Sequence, residues 1–284
     1  TGTDNIIIGY QACKTGVLAT GGDAGHARYN VVIGTSAGDD LTTGSSNILL
    51  GRNSGKELTA GISNIAIGHG SLDAANTGSG KHWNVAIGTN TLGAQTTDAT
   101  YCVAVGHHAL LLQNADVQNT AIGGLAGSTI DDGTGNTLVG FSAGRDIDDT
   151  HCNTAFGHQA LVRGTGTGNT VIGCNAGSSN NDTGTALSGQ DNTLVGNSAG
   201  YKLTTGDYNI LIGRNAGFEM SAGVDNVIIG RAAGDGLTGA STQNIALGKD
   251  ALGGCTGVTS SNIAIGAGTL KHASYAAANI NIAI

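Results

Sequence analysis

One short pattern, an Asn followed by three mostly apolar residues and a Gly, recurs from one end of the chain to the other. We number each copy from its opening residue, the anchor. Gly stands at +4 in all fifteen copies that extend so far, and successive anchors are most often 17 residues apart. Such regularity predicts one continuous repeat domain over residues 1–284. The anchors are Asn5, Asn30, Asn47, Asn64, Asn84, Cys102, Asn119, Asn136, Asn153, Asn169, Asn192, Asn209, Asn226, Asn244, Asn262 and Asn281.

The residue types within the unit predict a strand and a corner. Positions +1 to +3 are rich in Ile, Val and Thr, which favours a short β-strand, and Gly at +4 suits a sharp bend. An apolar residue six places before the next anchor, such as Leu41 or Met220, indicates a second short strand. Units this small bury a core only when stacked. The fold class is therefore all-β, a parallel β-solenoid of about sixteen coils, with loops inserted after Asn5, Asn64 and Asn169.

The Asn and Gly columns are interpreted as structural. Stacked Asn amides can hydrogen-bond from coil to coil, as in amide ladders, although Asn also simply tolerates turn conformations. Gly would make the bend. The residues that define the two columns most clearly are Asn47, Asn64, Asn119, Asn136, Asn153, Asn209, Asn226, Gly51, Gly68, Gly123, Gly140, Gly157, Gly213 and Gly230.

A size exchange links positions +2 and +8. Copies with Leu at +8, such as Leu72, carry Ala at +2, and copies with Gly at +8 carry a larger residue there, except Ala121 with Gly127. Two side chains that share one packed space behave in this way. Because +1, +2 and +3 are all apolar, both faces of the strand should be buried. We expect +2 and +8 to meet at a seam between copies of the chain; the alternative is that one chain buries both.

Composition excludes several classes of protein. The chain has 50 Gly without a Gly-X-Y period, no Pro, 4% aromatic residues and a net charge of −8. No apolar run is long enough to span a membrane, and no basic stripe is present for nucleic acid. The five Cys have no CxxC spacing and are interpreted as small, partly buried hydrophobes. No catalytic constellation or resident cofactor is expected, so the chain is predicted not to be an enzyme.

The segments "NVAIGTNTL", "NIAIGHGSL" and "NTAIGGLAG" resemble the head repeats of trimeric autotransporter adhesins, and also repeats of bacteriophage tail fibres. The resemblance covers the whole chain, with a unit near seventeen residues where the adhesin unit has about fourteen. It implies a β-roll in an extracellular homotrimeric fibre, on a virion tail or a bacterial surface, that attaches to a host glycan or protein receptor.

Two columns of charged residues are candidate sites. Asp131 and Asp148 share one position of the repeat, and Asp132 and Asp149 share the next. Stacked carboxylates repel unless a cation bridges them, so a calcium or magnesium ion is one reading and a solvated acidic corner the other. Arg214, Arg231 and Lys249 follow one another at +5 and would suit an anionic glycan or a phosphate, or are exposed tips.

The favoured function is structural and adhesive, as the shaft or head of a trimeric receptor-binding fibre. The alternative is a self-polymerising extracellular filament, since neither end of the chain carries a recognisable cap. An ice-binding solenoid is a further alternative, suggested by Thr at +1 in five successive copies from Thr120 to Thr193. Ice binding needs an exposed flat face, whereas we expect this Thr column to be buried.

Overall fold

A computed structural model describes residues 4–15, 27–73, 82–93, 100–114, 118–178, 185–255, 259–271 and 280–284. The described residues form short β-strands, turns and bends, and they include no helix. They divide into two compact units, Thr1–Phe141 and Ser142–Ile284. Most residues of the loops expected after Asn5, Asn64 and Asn169 lie outside the described ranges.

Each anchor is followed by one strand, as the repeat predicts. In the first unit the strands are β1 Ile6–Ile8, β2 Val31–Ile33, β3 Ile48–Leu50, β4 Ile65–Ile67, β5 Val85–Ile87, β6 Val103–Val105, β7 Thr120–Ile122 and β8 Thr137–Val139. In the second unit they are β9 Thr154–Phe156, β10 Thr170–Ile172, β11 Thr193–Val195, β12 Ile210–Ile212, β13 Val227–Ile229, β14 Ile245–Leu247, β15 Ile263–Ile265 and β16 Ile282–Ala283.

Within each unit, every strand pairs in parallel with the next one in the chain, and the register is the same throughout. Val31 pairs with Ile48, and Thr193 pairs with Ile210, so +1 always meets +1. This constant register confirms the parallel β-solenoid. It also explains the repeat, because each position of one coil lies against the same position of the next.

The second strand predicted in each coil is wrong in its position. The apolar residues six before an anchor, such as Leu41 and Met220, are fully buried, but they lie outside the strands. Most isolated bridges instead join residues two before an anchor, for example Ser45 with Ile62 and Val224 with Thr242. Bridges near the predicted position are present in the second unit, where Asp146 pairs with Arg163 and Gly164 pairs with Leu187.

Gly is required at +4 for two reasons, namely a positive φ and the close approach of the backbone of the next coil. Gly51 has a φ of 134°, and a Cβ placed on it would lie 2.5 Å from the carbonyl oxygen of Gly68 in the next coil. The chain turns here with its backbone against the same turn of its neighbour, so no side chain fits. The predicted corner is confirmed.

The Asn anchors form hydrogen-bonded ladders inside each unit. The backbone N and Nδ2 of Asn47 donate to Oδ1 of Asn30 at 2.9 and 3.0 Å, and Asn47 Oδ1 accepts the same pair of bonds from Asn64. Asn47 Nδ2 also donates to the carbonyl oxygen of Gly61 at 2.7 Å. The Asn47 amide thus pairs with both neighbours while fully buried. The ladder interpretation is confirmed, and it accounts for a polar residue in the core.

Cys102 interrupts the ladder, and a nearby Gln compensates. The backbone N of Cys102 still donates to Asn84 Oδ1 at 2.9 Å. In the next coil, Asn119 Nδ2 donates to Gln113 Oε1 at 2.6 Å, while Gln113 Nε2 donates to the carbonyl oxygen of Asp131 at 2.8 Å. Gln113 is fully buried and supplies the amide that Cys102 lacks.

Positions +2 and +8 meet inside a single chain, so the expected seam between copies is wrong. The +2 residue is fully buried in every strand from β2 to β15, and the +8 residues Leu72, Leu92, Leu110, Leu161 and Leu252 are buried as well. A Cβ added to Gly55 at +8 would lie 2.8 Å from Leu49 Cδ2 at +2 of the same coil. The size exchange therefore reflects packing in the core.

Ala121 and Gly127, the one pair that departs from the size exchange, leave a space that side chains from both neighbouring coils fill. A Cβ on Gly127 would lie 2.8 Å from Leu138 and 2.9 Å from Leu110, which belong to the following and preceding coils. The space left by Ala121 and Gly127 is thus occupied by their neighbours. Core volume is conserved across adjacent coils and not only within one coil.

A double exchange tests this packing. We expect Leu49→Ala to cost about 2–3 kcal/mol through the cavity it leaves, and Gly55→Leu to cost about 2 kcal/mol through overpacking. The double variant should recover most of the loss, because Leu72 already holds the same conformation at +8 (φ 54° against 55° at Gly55). Urea unfolding of the three variants measures the coupling. Additive losses would contradict a shared space.

Candidate functional site

The most extensive candidate site is the outward face of the strands, formed by the +1 and +3 residues of each coil. These side chains alternate with the buried +2 residue, and many of them are large and apolar. Ile210 at +1 is 39% exposed and Phe156 at +3 is 56% exposed. No Lys, Arg, Asp or Glu occurs at +1 or +3 in any copy of the repeat. Each unit therefore presents an uncharged and mostly apolar surface at the spacing of its coils, with Thr at +1 in two coils of the first unit and three coils of the second.

The Thr column lies on this outward face, which corrects the expectation that it is buried. Thr137 is exposed, and Thr120, Thr154, Thr170 and Thr193 are each partly exposed. The expectation was wrong because +1 and +3 point away from +2, and +2 is the residue that fills the core.

The two acidic pairs lie in different units. Asp131 and Asp132 belong to the first, and Asp148 and Asp149 to the second. The backbone N of Asp149 donates to Asp148 Oδ1 at 3.1 Å. Within the ranges that the structure describes, no three of His, Cys, Asp or Glu come together as a metal-binding group. The calcium or magnesium site stays a prediction.

The three cations at +5 stack as the repeat predicts. The backbone N of Ala232 donates to the Arg214 carbonyl oxygen at 2.9 Å, and that of Asp250 donates to the Arg231 carbonyl oxygen at 3.0 Å. The Arg214, Arg231 and Lys249 side chains are exposed. Their use in binding an anion stays a prediction.

Carboxylates beside these cations reduce the positive charge of the column. Lys271 Nζ donates to Asp250 Oδ2 at 3.2 Å, and Lys249 Nζ lies 3.7 Å from the same atom. The hydrogen bond from Lys271, with attraction from Lys249 and Arg231, lowers the pKa of Asp250. Burial, and then the charge of Asp250, raise the pKa of Asp235. The sequence interpretation missed these partners, because they stand at other positions of the repeat.

The Cys residues are only partly as predicted. Cys102 and Cys255 are buried, whereas Cys152 and Cys174 are exposed. Cys13 is intermediate, and burial, with a smaller contribution from the charge of Asp39, raises the pKa of its thiol to about 11. Cys13 is thus held as a thiol at neutral pH.

A second surface feature, missed by the sequence interpretation, is the column of residues immediately before the anchors, here called the corner column. Most of its non-Gly members have positive φ, for example 58° at Ser46 and 57° at Trp83, so these side chains leave the coils in the same direction. The Trp83 and Tyr101 rings stack with centroids 4.9 Å apart and planes within 10°. They are 48% and 54% exposed. The sequence feature that could have indicated this stacking is the presence of aromatic residues immediately before the anchors of two adjacent copies.

Comparison with family models gave no match, and comparisons with curated proteins and with solved structures gave no significant match either. Among the described residues, none belongs to a helix that could cross a bilayer.

Proposed function

We propose that this chain is a structural and adhesive segment of an extracellular fibre, in which three copies associate through their outward faces. The observation that supports the proposal is the uncharged apolar surface formed by +1 and +3. Monomeric proteins rarely expose contiguous apolar patches beyond a few hundred Å2. The resemblance to adhesin heads and tail fibres supports an assembly of three copies, an extracellular location and attachment to a host glycan or protein receptor.

The size of the face is sufficient for a stable interface. At the exposure of Ile210, one of the more exposed residues of the face, a large aliphatic side chain leaves on the order of 50 Å2 in contact with water, so one eight-strand unit offers at most roughly 800 Å2. A stable interface buries about 800 Å2 per partner. In a trimer each copy contacts two others, so the faces of both units are needed to reach this area with each partner.

A second copy matches this face better than an unrelated partner does. Coils repeat at about 4.8 Å in both copies, so rows of side chains on one copy fall between the rows of the other. The face carries no charge, so it offers nothing for an acidic or basic partner to recognise. Self-association also buries the apolar surface of every coil at once.

The test is the mass of the chain in solution by light scattering. We expect a trimer for the wild type and a monomer for the double variant Ile210→Glu, Ile229→Glu, because two charges would be buried in each copy. The control is Thr205→Glu, Ala240→Glu, which adds the same charge at exposed residues outside the outward face and should remain trimeric. A dispersed wild-type monomer or a dimer would contradict the proposal. A series of increasing masses would favour the head-to-tail filament.

Ice binding is the second candidate, and the observation that favours it is the outward position of Thr154, Thr170 and Thr193 in consecutive coils. A flat array of hydroxyl and methyl groups at regular spacing is what such binding requires. Thermal hysteresis of a dilute solution would identify it, and a trimer that covers this face would exclude it.

A further inference from the structure

The corner column of the first unit contains a notch between aromatic residues. Its residues from β2 to β6 are Tyr29, Ser46, Ser63, Trp83 and Tyr101. Backbone bonds hold successive members in step: the backbone N of Ser63 donates to the Ser45 carbonyl oxygen at 3.0 Å, and that of Trp83 donates to the Ile62 carbonyl oxygen at 3.0 Å. Two small residues therefore separate two large ones.

The two faces of the Trp83 ring differ in what they meet. One face is covered by Tyr101, whose ring is nearly parallel to it. The opposite face lies on the side of Ser63, which is too small to cover an indole, and the His82 ring packs against Trp83 with the two ring planes 59° apart. Tyr29 stands three coils before Trp83, roughly 14 Å away at about 4.8 Å per coil. Among the described residues, no large side chain stands in the corner column between Tyr29 and Trp83, which leaves room for a small ring-shaped ligand on the open indole face.

Polar groups line the same notch. Ser46 and Ser63 are exposed, and each hydroxyl can donate and accept a hydrogen bond. His82 packs beside Trp83, with ring centroids 5.2 Å apart. His82 Nδ1 accepts a bond from the backbone N of Ile62 at 3.0 Å, which places the proton of the neutral ring on Nε2. An apolar platform is thereby combined with hydroxyl groups and one ring donor.

From this arrangement we infer that the notch binds a neutral saccharide, with one pyranose ring stacked on the open face of Trp83. A pyranose has a face of C–H groups and a rim of hydroxyls, which matches an aromatic face bordered by Ser and His. The two residues before the anchors of β3, β4 and β5 include no charged side chain, which favours a neutral ligand. They also include no carboxylate pair, so the notch is a site for binding and not for glycoside cleavage.

The inference deepens the proposed function, because it assigns a ligand class and a location to receptor attachment. The corner column lies at the bend that precedes each strand, beside the outward face and not within it. Association of copies and saccharide binding are therefore separate properties, and each can fail alone. Mass in solution tests the first, and ligand titration tests the second.

Trp83 is the one Trp of the chain, so its fluorescence reports the notch directly. We would titrate the full chain with the methyl glycosides of galactose, glucose, mannose and N-acetylglucosamine. At least one should change the emission saturably, with a millimolar Kd typical of a single sugar ring. Absence of a saturable change with all four, well above millimolar concentration, would overturn the inference.

Two variants distinguish the notch from other surfaces. Ser63→Tyr extends the aromatic column over the open face of Trp83 and should weaken binding at least tenfold. It should fold normally, because Tyr101 and Tyr208 occupy this position at similar φ. Tyr208→Ala removes an exposed aromatic residue from the corner column of the second unit and should leave binding unchanged. Equal binding by Ser63→Tyr and the wild type would also overturn the inference.

Discussion

Gly123→Ala is expected to destabilise the chain by at least about 4 kcal/mol, or to prevent its first unit from folding. Gly123 has a φ of 140°, where residues with a Cβ are strained by about 1–3 kcal/mol. The new Cβ would also lie 2.6 Å from the carbonyl carbon of Gly140. That atom belongs to the backbone of the next coil, so relief of the clash requires the coils to separate. Urea unfolding followed by circular dichroism measures the loss.

The adjacent residue provides the control. Gly124 does not have a positive φ, and a Cβ there would lie 3.4 Å from Phe141 Cδ2, an ordinary contact. Gly124→Ala should change stability by no more than about 0.5 kcal/mol. Equal tolerance of Ala at both positions would show that close stacking of the corners does not hold the coils in register.

Asn209→Ala is expected to cost about 4 kcal/mol, because one substitution removes four buried hydrogen bonds. Asn209 Oδ1 accepts bonds from the backbone N and Nδ2 of Asn226, at 3.1 and 2.9 Å. Asn209 Nδ2 donates to Asn192 Oδ1 at 3.0 Å and to the Gly223 carbonyl oxygen at 2.7 Å. All three Asn are buried, so water cannot replace these bonds without opening the core.

Cys102→Ala is the matched control at the same position of another coil. The bond from the backbone N of residue 102 to Asn84 Oδ1 does not depend on the side chain. The Cys102 Sγ contact with the Thr100 carbonyl oxygen, at 3.7 Å, is weak. The loss should stay near 1 kcal/mol. If Asn209→Ala costs as little in the same urea experiment, the ladder follows from the fold and does not stabilise it.

The repeat made the strands, their register and both structural columns predictable. Asn at 0 and Gly at +4 each have one dominant physical use when stacked, namely an amide ladder and a tight corner. The exchange of large and small side chains between +2 and +8 was also predictable from the sequence, because a packed core conserves its volume. These predictions depended on residues whose neighbours in the fold are copies of themselves.

The orientation of the strand could not be predicted in the same way. Three apolar residues in succession, as in Ile48 to Leu50, give no alternation that distinguishes inside from outside. The corner column was missed for a different reason. Its residue type varies from Ser46 to Trp83, so it has no consensus, and only the left-handed backbone that such members share shows that these side chains line up.

Identical register between neighbours has an evolutionary consequence. If a stretch of 17 residues such as 210–226 is duplicated or lost, the strands on either side still meet with +1 opposite +1. Recombination within the gene can therefore lengthen or shorten the protein by whole coils without a new folding problem. Variation in coil number among natural isolates is the form of diversity this architecture accommodates most readily.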